Sequence, residues 1–113
     1  MSDMGKVLGQ VDSTLAADDI LYTVPSLSQM TSSTLMICNR TAVSASFRVR
    51  VIVGGLAVTG TNDKQYLFYD APIGANTTVS VTIGMTLSET DEVYTYASTT
   101  GFSFNLFGME TTV

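Results

Sequence analysis

Apolar and polar residues alternate along residues 45–53. Period-two alternation of aromatic and β-branched residues is typical of a strand with one buried face. The preceding residues 34–39 are more continuously apolar, as in a strand near the middle of a sandwich. We therefore predict a hairpin over residues 35–53 at the structural centre of the fold. The alternating strand carries two groups of side chains on opposite faces: Phe47, Val49, Val51 and Val53 on one, and Ser46, Arg48, Arg50 and Ile52 on the other.

Similar segments recur along the rest of the chain, with Gly, Pro, Asn, Asp or Ser between them. They recur at a spacing of roughly 8–12 residues, which is typical of all-β sandwiches and barrels. We therefore predict an all-β fold, a single antiparallel β-sandwich of jelly-roll or Ig-like type with about seven to eight strands. Besides the central hairpin, the predicted strands are residues 19–25, 64–70, 77–83, 92–97 and 102–110.

The first nineteen residues differ in character from the rest. They include several acidic residues and keep neither helical nor strand periodicity for long, although residues 6–11 could form a short edge strand. We therefore predict an extended N-terminal arm, residues 1–19, ahead of a sandwich domain, residues 20–113. Two interpretations of the arm stay open: a partly ordered terminus, or a segment that adds a strand to a neighbouring subunit.

The composition is poor in charge. Charged residues make up 13% of the 113 residues, about half of the roughly 25% usual in soluble domains. A small soluble monomer usually carries more surface charge, so we expect neighbouring subunits to cover part of this surface. The net charge is −5 and the five basic residues form no run, which argues against binding to a nucleic-acid backbone. No apolar run approaches the roughly 20 residues of a membrane span.

Residues for catalysis or metal binding are almost absent. The chain has no histidine and one cysteine, Cys38, so Ser-His and Cys-His pairs, an intrachain disulfide and the usual zinc sites cannot form within it. Asp63 beside Thr61 and Asn62 supplies one carboxylate, which is too few for a calcium site. We therefore expect neither enzyme activity nor a cofactor or metal.

Tyrosines and outward arginines are the candidate contact residues. Four tyrosines could form a platform for stacking sugars: Tyr66, Tyr69, Tyr94 and Tyr96. Strict alternation places Tyr66 and Tyr69 on opposite faces of their strand, so we expect core or interface packing instead. Arg48 and Arg50 are predicted to make subunit contacts. The complete set of predicted interaction residues is Val7, Leu8, Gln10, Arg48, Arg50, Tyr66 and Tyr69.

An ordered set of short motifs spans nearly the whole chain. The motifs are VLGQ at 7–10, LYTVP at 21–25, CNR at 38–40, FRV at 47–49, QYLFYD at 65–70 and FSFNLFGME at 102–110. In this order they resemble a group of small virion structural proteins of tailed bacteriophages. Members of that group often have a glycine shortly after the LYTVP segment, where this chain has Ser26, Leu27 and Ser28.

The resemblance implies a non-enzymatic building block of the virion, with other virion proteins as partners. We expect it to pack as a symmetric homo-oligomer, a trimer, either onto the capsid as a decoration or into the tail, collar or baseplate. No nucleic acid or membrane partner is expected. The alternative is a carbohydrate-binding module for host recognition, which would need several co-facing aromatic rings.

Overall fold

The computed structural model describes residues 2–15, 17–54 and 63–112. Within these residues the chain forms nine strands and a 3₁₀ turn at Asp63–Gln65. The strands are β1 (Ser2–Asp12), β2 (Asp18–Thr23), β3 (Ser28–Asn39), β4 (Ala45–Ile52), β5 (Tyr66–Ile73), β6 (Thr77–Thr82), β7 (Thr86–Ser88), β8 (Glu92–Ala97) and β9 (Phe102–Thr112).

The strands form two antiparallel sheets. The first sheet has the order β1-β9-β3-β6, with β7 pairing to β3 beside β6, and the second has the order β2-β8-β4-β5. Early strands pair with late ones in reverse: β1 with β9, β2 with β8, β3 with β6 and β7, and β4 with β5. This nested pairing is that of a jelly roll, a two-sheet sandwich. The prediction of an all-β sandwich is therefore confirmed, and the topology selects the jelly-roll alternative.

The hairpin predicted over residues 35–53 is wrong. β3 pairs with β6, β7 and β9 in the first sheet, whereas β4 pairs with β5 and β8 in the second. The connection between β3 and β4 crosses from one sheet to the other instead of turning back on itself. Alternation correctly places Phe47 and Val49 in the core. It is wrong about burial at the end of the strand, where Ile52 is buried and Val53 is exposed. It also carries no information about which strand lies beside β4.

A buried amide fixes this crossing. Asn39, at the end of β3, is fully buried. Its Nδ2 donates to the carbonyl oxygens of Val43, at 2.9 Å, and Gly74, at 3.1 Å. Its Oδ1 accepts from the backbone N–H and the hydroxyl of Thr41 at 2.9 and 2.7 Å. One side chain therefore links the β3–β4 connection to the connection that follows β5.

The core lies between the two sheets. Phe47 of β4 is 2% exposed, and its ring contacts Phe68 in the same sheet and Phe104 in the opposite one, with centroid distances of 5.6 and 6.3 Å. Buried and less buried positions alternate along the second half of β3 and the first half of β9. Their buried residues include Leu35, Ile37, Phe102, Phe104 and Leu106.

The N-terminal residues are part of the first sheet. β1 covers Ser2–Asp12, longer than the short edge strand predicted at residues 6–11, and pairs with β9 of the same chain. Leu8 and Val11 pack against the core. The next residues are also fixed, because the Ser13 hydroxyl donates to the Thr99 carbonyl and accepts from the Phe102 N–H. The division into an arm, 1–19, and a domain, 20–113, stays a prediction.

The turn between β2 and β3 contains a leucine in an unfavourable conformation. Leu27 has a φ of +61° and is 69% exposed. A left-handed conformation costs an L-residue roughly 1–2 kcal/mol, whereas glycine adopts it freely. The side chain gains little from burial, so the local strain is not offset by packing of Leu27 itself.

Replacing Leu27 with glycine is expected to raise the free energy of unfolding by about 0.5–1 kcal/mol, because relief of strain exceeds the added entropy of the unfolded chain. Thermal and chemical denaturation measure the change. Leu15→Gly is the matched control, since Leu15 is 67% exposed but lacks a positive φ. A gain of the same size in both variants would contradict the explanation.

Candidate interaction surface

The outer face of the second sheet brings together two arginines and four tyrosines. We call this surface the Arg–Tyr face, and it comprises Arg48, Arg50, Tyr66, Tyr69, Tyr94 and Tyr96. Its centre follows directly from the register of β4 and β8, in which Arg48 is paired with Tyr96 and Arg50 with Tyr94. Side chains at paired positions of neighbouring strands lie on the same face, so each arginine lies beside a tyrosine.

Two irregularities of β5 complete the face. Opposite Arg48, β5 has two residues where β4 has one, so Tyr69 and Asp70 together face a single position. Asp70 has a φ of +51° at this bulge. A second extra residue of β5, Leu67, lies between Phe68, which pairs with Val49, and Tyr66, which pairs with Arg50. Bulges of this kind re-aim side chains, and here they return Tyr66 and Tyr69 to one side of the strand.

The prediction that Tyr66 and Tyr69 lie on opposite faces is therefore wrong. Their ring centroids are 4.9 Å apart in an edge-to-face arrangement at 88°. The expectation assumed unbroken alternation along β5, and the extra residues break it. The conclusion that all four tyrosines could not share one sheet surface fails with it.

Arg48 is held on three sides. Its Nε and Nη2 donate to the two carboxylate oxygens of Asp70 at 2.6 and 3.2 Å. Its guanidinium carbon lies 4.2 Å from the ring centroid of Tyr69 and 4.4 Å from that of Tyr96. The hydrogen bond to Asp70 raises the pKa of Arg48 above its usual value. The bidentate pair and the two rings fix the guanidinium in one orientation.

Arg50 lies on the same face but is only 4% exposed. Its Nη2 donates to Asp18 Oδ2 at 2.8 Å, and the rings of Tyr66 and Tyr94 lie 5.5 and 5.8 Å from its guanidinium carbon. Its buried Nε has no hydrogen-bond partner among the described residues. Burial is the main cause of the raised pKa of Tyr94, followed by the charge of Glu92. Arg50 therefore packs under the tyrosine rings of the face and is not itself available for contact with a partner.

The exposed part of this surface is apolar and aromatic. Tyr69 is 59% exposed, and Ile20, which is paired with Tyr94, is 53% exposed. The charges of Arg48 and Arg50 are paired within the chain, by Asp70 and Asp18. Tyrosine and arginine are enriched at the energetic centres of protein interfaces, where they are held rigidly and exclude water. The arrangement therefore suits contact with another protein surface of low charge.

A sugar platform fits this geometry less well. Tyr94 is buried, and the Arg48 guanidinium lies over one face of the Tyr69 ring and one of the Tyr96 ring. Of the four tyrosines, Tyr69 alone is exposed. A platform needs several open ring faces at once, so the co-facing arrangement is present without the open surface that stacking requires.

The other predicted interaction residues lie in the first sheet. Val7 is 47% exposed, Leu8 is half-buried against the core, and Gln10 is exposed with its Nε2 donating to Asn105 Oδ1 at 2.8 Å. All three belong to β1. The predicted set therefore divides between the Arg–Tyr face and the edge of the first sheet.

Sequence reasoning missed a three-residue cluster that links β1, β2 and β9. Glu110 pairs with Lys6 Nζ at 2.9 Å and accepts from the Tyr22 hydroxyl at 2.5 Å. The hydrogen bond from Lys6 lowers the pKa of Glu110 most, and the hydrogen bond from Tyr22 lowers it further. Burial and the bond to Glu110 raise the pKa of Tyr22. No sequence pattern connects three residues so far apart in the chain, because the contact depends on β1 lying beside β9.

This cluster predicts a loss of stability in acid. Because folding lowers the Glu110 pKa, its contribution is present above the ordinary carboxyl value of about 4.3 and is lost as pH falls through the folded value. Denaturant unfolding between about pH 3 and pH 7 measures the slope. Glu110→Gln should be less stable near neutrality and show a shallower pH dependence. If the stability of Glu110→Gln fell with pH as steeply as that of the wild type, other groups would be the cause of the acid sensitivity.

The described residues offer no other chemical centre. They contain no group of three or more Asp, Glu, Cys or His side chains that could hold a metal ion. Asp91 is buried and accepts hydrogen bonds from the N–H groups of Gly54 and Ser88. These bonds fix the turns in which the two residues lie. Thr61 and Asn62 of the rejected calcium motif lie outside the described residues.

In the ranges that the structure covers, no helix is long and apolar enough to cross a membrane.

No protein-family model matches the chain, and no curated protein matches its sequence. Among solved structures, the fold is similar to a chain of the T13 particle of infectious bursal disease virus, with a TM-score of 0.53 and 13% identity. Chains of the Gt and Gx strains of that virus give TM-scores of 0.54 and 0.53 at 10% and 9% identity. Each match covers 96% of this chain but only 29–32% of the viral one. At this identity the likeness extends to the fold alone.

Proposed function

We propose that this protein is a non-enzymatic structural component of a virus particle, located in the virion and packed there as a symmetric oligomer against other virion subunits. The observation that carries the proposal is the fold likeness over 96% of the chain to chains of an icosahedral virus. The charge content of 13% gives independent support, because a surface covered by neighbours needs few charges.

The host type and the position in the particle are finer parts of the proposal. The order of the short sequence motifs supports a tailed bacteriophage, whereas the structurally similar chains come from an animal virus and add nothing to that assignment. On the phage hypothesis the protein decorates the capsid or belongs to the tail, collar or baseplate. A trimer is the closed oligomer expected there.

The Arg–Tyr face is the proposed contact with other virion proteins. Its exposed tyrosine is Tyr69, the exposed Ile20 lies beside Tyr94, and its arginine charges are already neutralised by Asp70 and Asp18. Binding therefore needs no further desolvation of an unpaired charge, and little side-chain freedom is lost, because the rings and guanidinium are already fixed. A partner surface of low charge is the one that this face accommodates.

Replacing Arg48 with alanine tests this surface in assembled particles. We expect the variant to fold and its incorporation to fall at least about tenfold, because loss of an interface centre costs roughly 2 kcal/mol or more. Quantitative mass spectrometry of purified particles gives the copy number. Arg40→Ala is the matched control, since Arg40 is also paired with an aspartate, Asp12. It lies in the β3–β4 connection and contacts β1 and β9 of the first sheet, away from the Arg–Tyr face. Equal copy numbers for wild type and Arg48→Ala would reject this face as the contact.

A further inference from the structure

Among the residues that the structure describes, one edge of the sandwich is long and has no strand paired to its outer side. β1 is the terminal strand of the first sheet and pairs on one side with β9. It has eleven residues and no proline. In an antiparallel ladder, half of the backbone N–H and C=O groups of such a strand point away from its neighbour and are free to bond another strand.

The devices that usually protect an edge are weak in β1. Edge strands are commonly blunted by an outward lysine, by proline or by bulges. The lysine of β1, Lys6, is bound to Glu110 at 2.9 Å. β1 has one register shift, between Val7 and Gly9, and Val7 at its midpoint is 47% exposed. An apolar side chain therefore stands where a blocking charge would be expected.

The other three edges of the described sandwich are blunted. β5 contains Pro72 and two register shifts. β2 has six residues, with a shift between Ile20 and Tyr22. β6 also has six residues, and the strand is broken before the three residues of β7. A second copy of the chain therefore offers one edge of matching length and regularity, which is its own β1.

The charge pattern of β1 is compatible with pairing to itself. An antiparallel pair centred on Val7 places the two copies of Val7 opposite each other. Next to the axis it sets Lys6 opposite Leu8, so that no like charges face each other there. Facing β-branched residues favour such a pair, whereas facing like charges would oppose it.

We propose that β1 of one protomer pairs antiparallel with β1 of a second copy across a two-fold axis at Val7. The contact joins the first sheets of both copies into one continuous sheet with the order β6-β3-β9-β1-β1-β9-β3-β6. It is isologous and closes after two copies. It rests on the symmetric oligomer of the proposed function, but gives that oligomer a two-fold contact in place of the three-fold contact that a trimer needs. It uses a surface separate from the Arg–Tyr face.

Sedimentation equilibrium of the full chain, from about 1 µM to about 100 µM, tests the pairing. We expect a wild-type dimer and at least a tenfold weaker dimer for Val7→Lys. At a dilution where both proteins are monomeric, their melting temperatures should agree. Val43→Lys is the control, because Val43 is 62% exposed but lies in the β3–β4 connection. A monomeric wild type throughout this range, or a Val7→Lys dimer of wild-type affinity, would overturn the proposal.

A cross-link tests the register independently of the folding of Val7→Lys. Directly opposed residues of an antiparallel pair have Cα atoms about 4.5–5.5 Å apart, within reach of a disulfide. Under mild oxidation Val7→Cys in a Cys38→Ser background should form a covalent dimer, whereas Val43→Cys in the same background should not. Equal cross-linking of the two variants would reject the register. Neither solution experiment depends on particles, so failure here is distinguishable from failure of Arg48→Ala to affect incorporation.

Discussion

Replacing Phe47 with alanine is expected to lower the free energy of unfolding by about 3–5 kcal/mol, the range for deletion of a large buried aromatic side chain. Phe47 is 2% exposed and contacts rings of both sheets, Phe68 and Phe104. Truncation would leave a cavity between the sheets that neither ring fills without moving the strand that carries it. A domain of this size has about 5–15 kcal/mol of total stability, so the variant should be largely unfolded or close to it.

Phe107 provides the matched control. It belongs to β9, as Phe104 does, but it is half-buried on the outer side of the first sheet. We expect Phe107→Ala to cost less than about 1.5 kcal/mol, since it removes less buried area and opens no enclosed cavity. Urea unfolding monitored by circular dichroism gives both values. Equal losses would mean that Phe47 is not the residue that joins the two sheets.

Replacing Asn39 with alanine is expected to cost about 2–4 kcal/mol. The change removes the donor for the carbonyls of Val43 and Gly74 and the acceptor for the N–H and hydroxyl of Thr41. Buried polar groups that lose their partners cost about 1–3 kcal/mol each, partly recovered where water enters. The same urea experiment measures the loss.

Two variants separate this effect from a general loss of polarity. Asn105→Ala should cost less than about 1 kcal/mol, because Asn105 is half-buried and bonds the exposed amide of Gln10. Asn39→Asp keeps the shape but replaces the Nδ2 donor with an acceptor, so it should be no more stable than Asn39→Ala. If Asn39→Asp were as stable as wild type, the carbonyl contacts of Val43 and Gly74 would not hold the crossing.

The sequence was most informative about individual strands. In β4 the alternation predicts Phe47 and Val49 as buried, and both lie in the core. The same rule failed at β5. There the extra residues, one at Tyr69–Asp70 and one at Leu67, place Tyr66 and Tyr69 on the same face of the strand. No glycine marks this bulge in the sequence, because Asp70 is the residue that adopts the positive φ.

The hydrophobic pattern of the sequence could not show which strands pair with each other. The apolar strands β3 and β4 are separated by five residues, a length that also suits a hairpin. Only the strand pairings of the folded chain show that it changes sheets there. The Lys6–Glu110–Tyr22 cluster was equally hidden, since its members come from three strands. The candidate face was predicted in part: Arg48 and Tyr69 were selected, but their shared contact was not.

By itself the sequence determined the all-β class, the buried faces of strands such as β4 and β9, and the scarcity of catalytic chemistry, because period-two burial and residue inventory are local properties of the chain. The tertiary structure decided which strands pair, that the chain is a jelly roll, and that two arginines and four tyrosines form one surface. These depend on register and on bulges, and a shift of one residue moves every side chain of a strand to the opposite face.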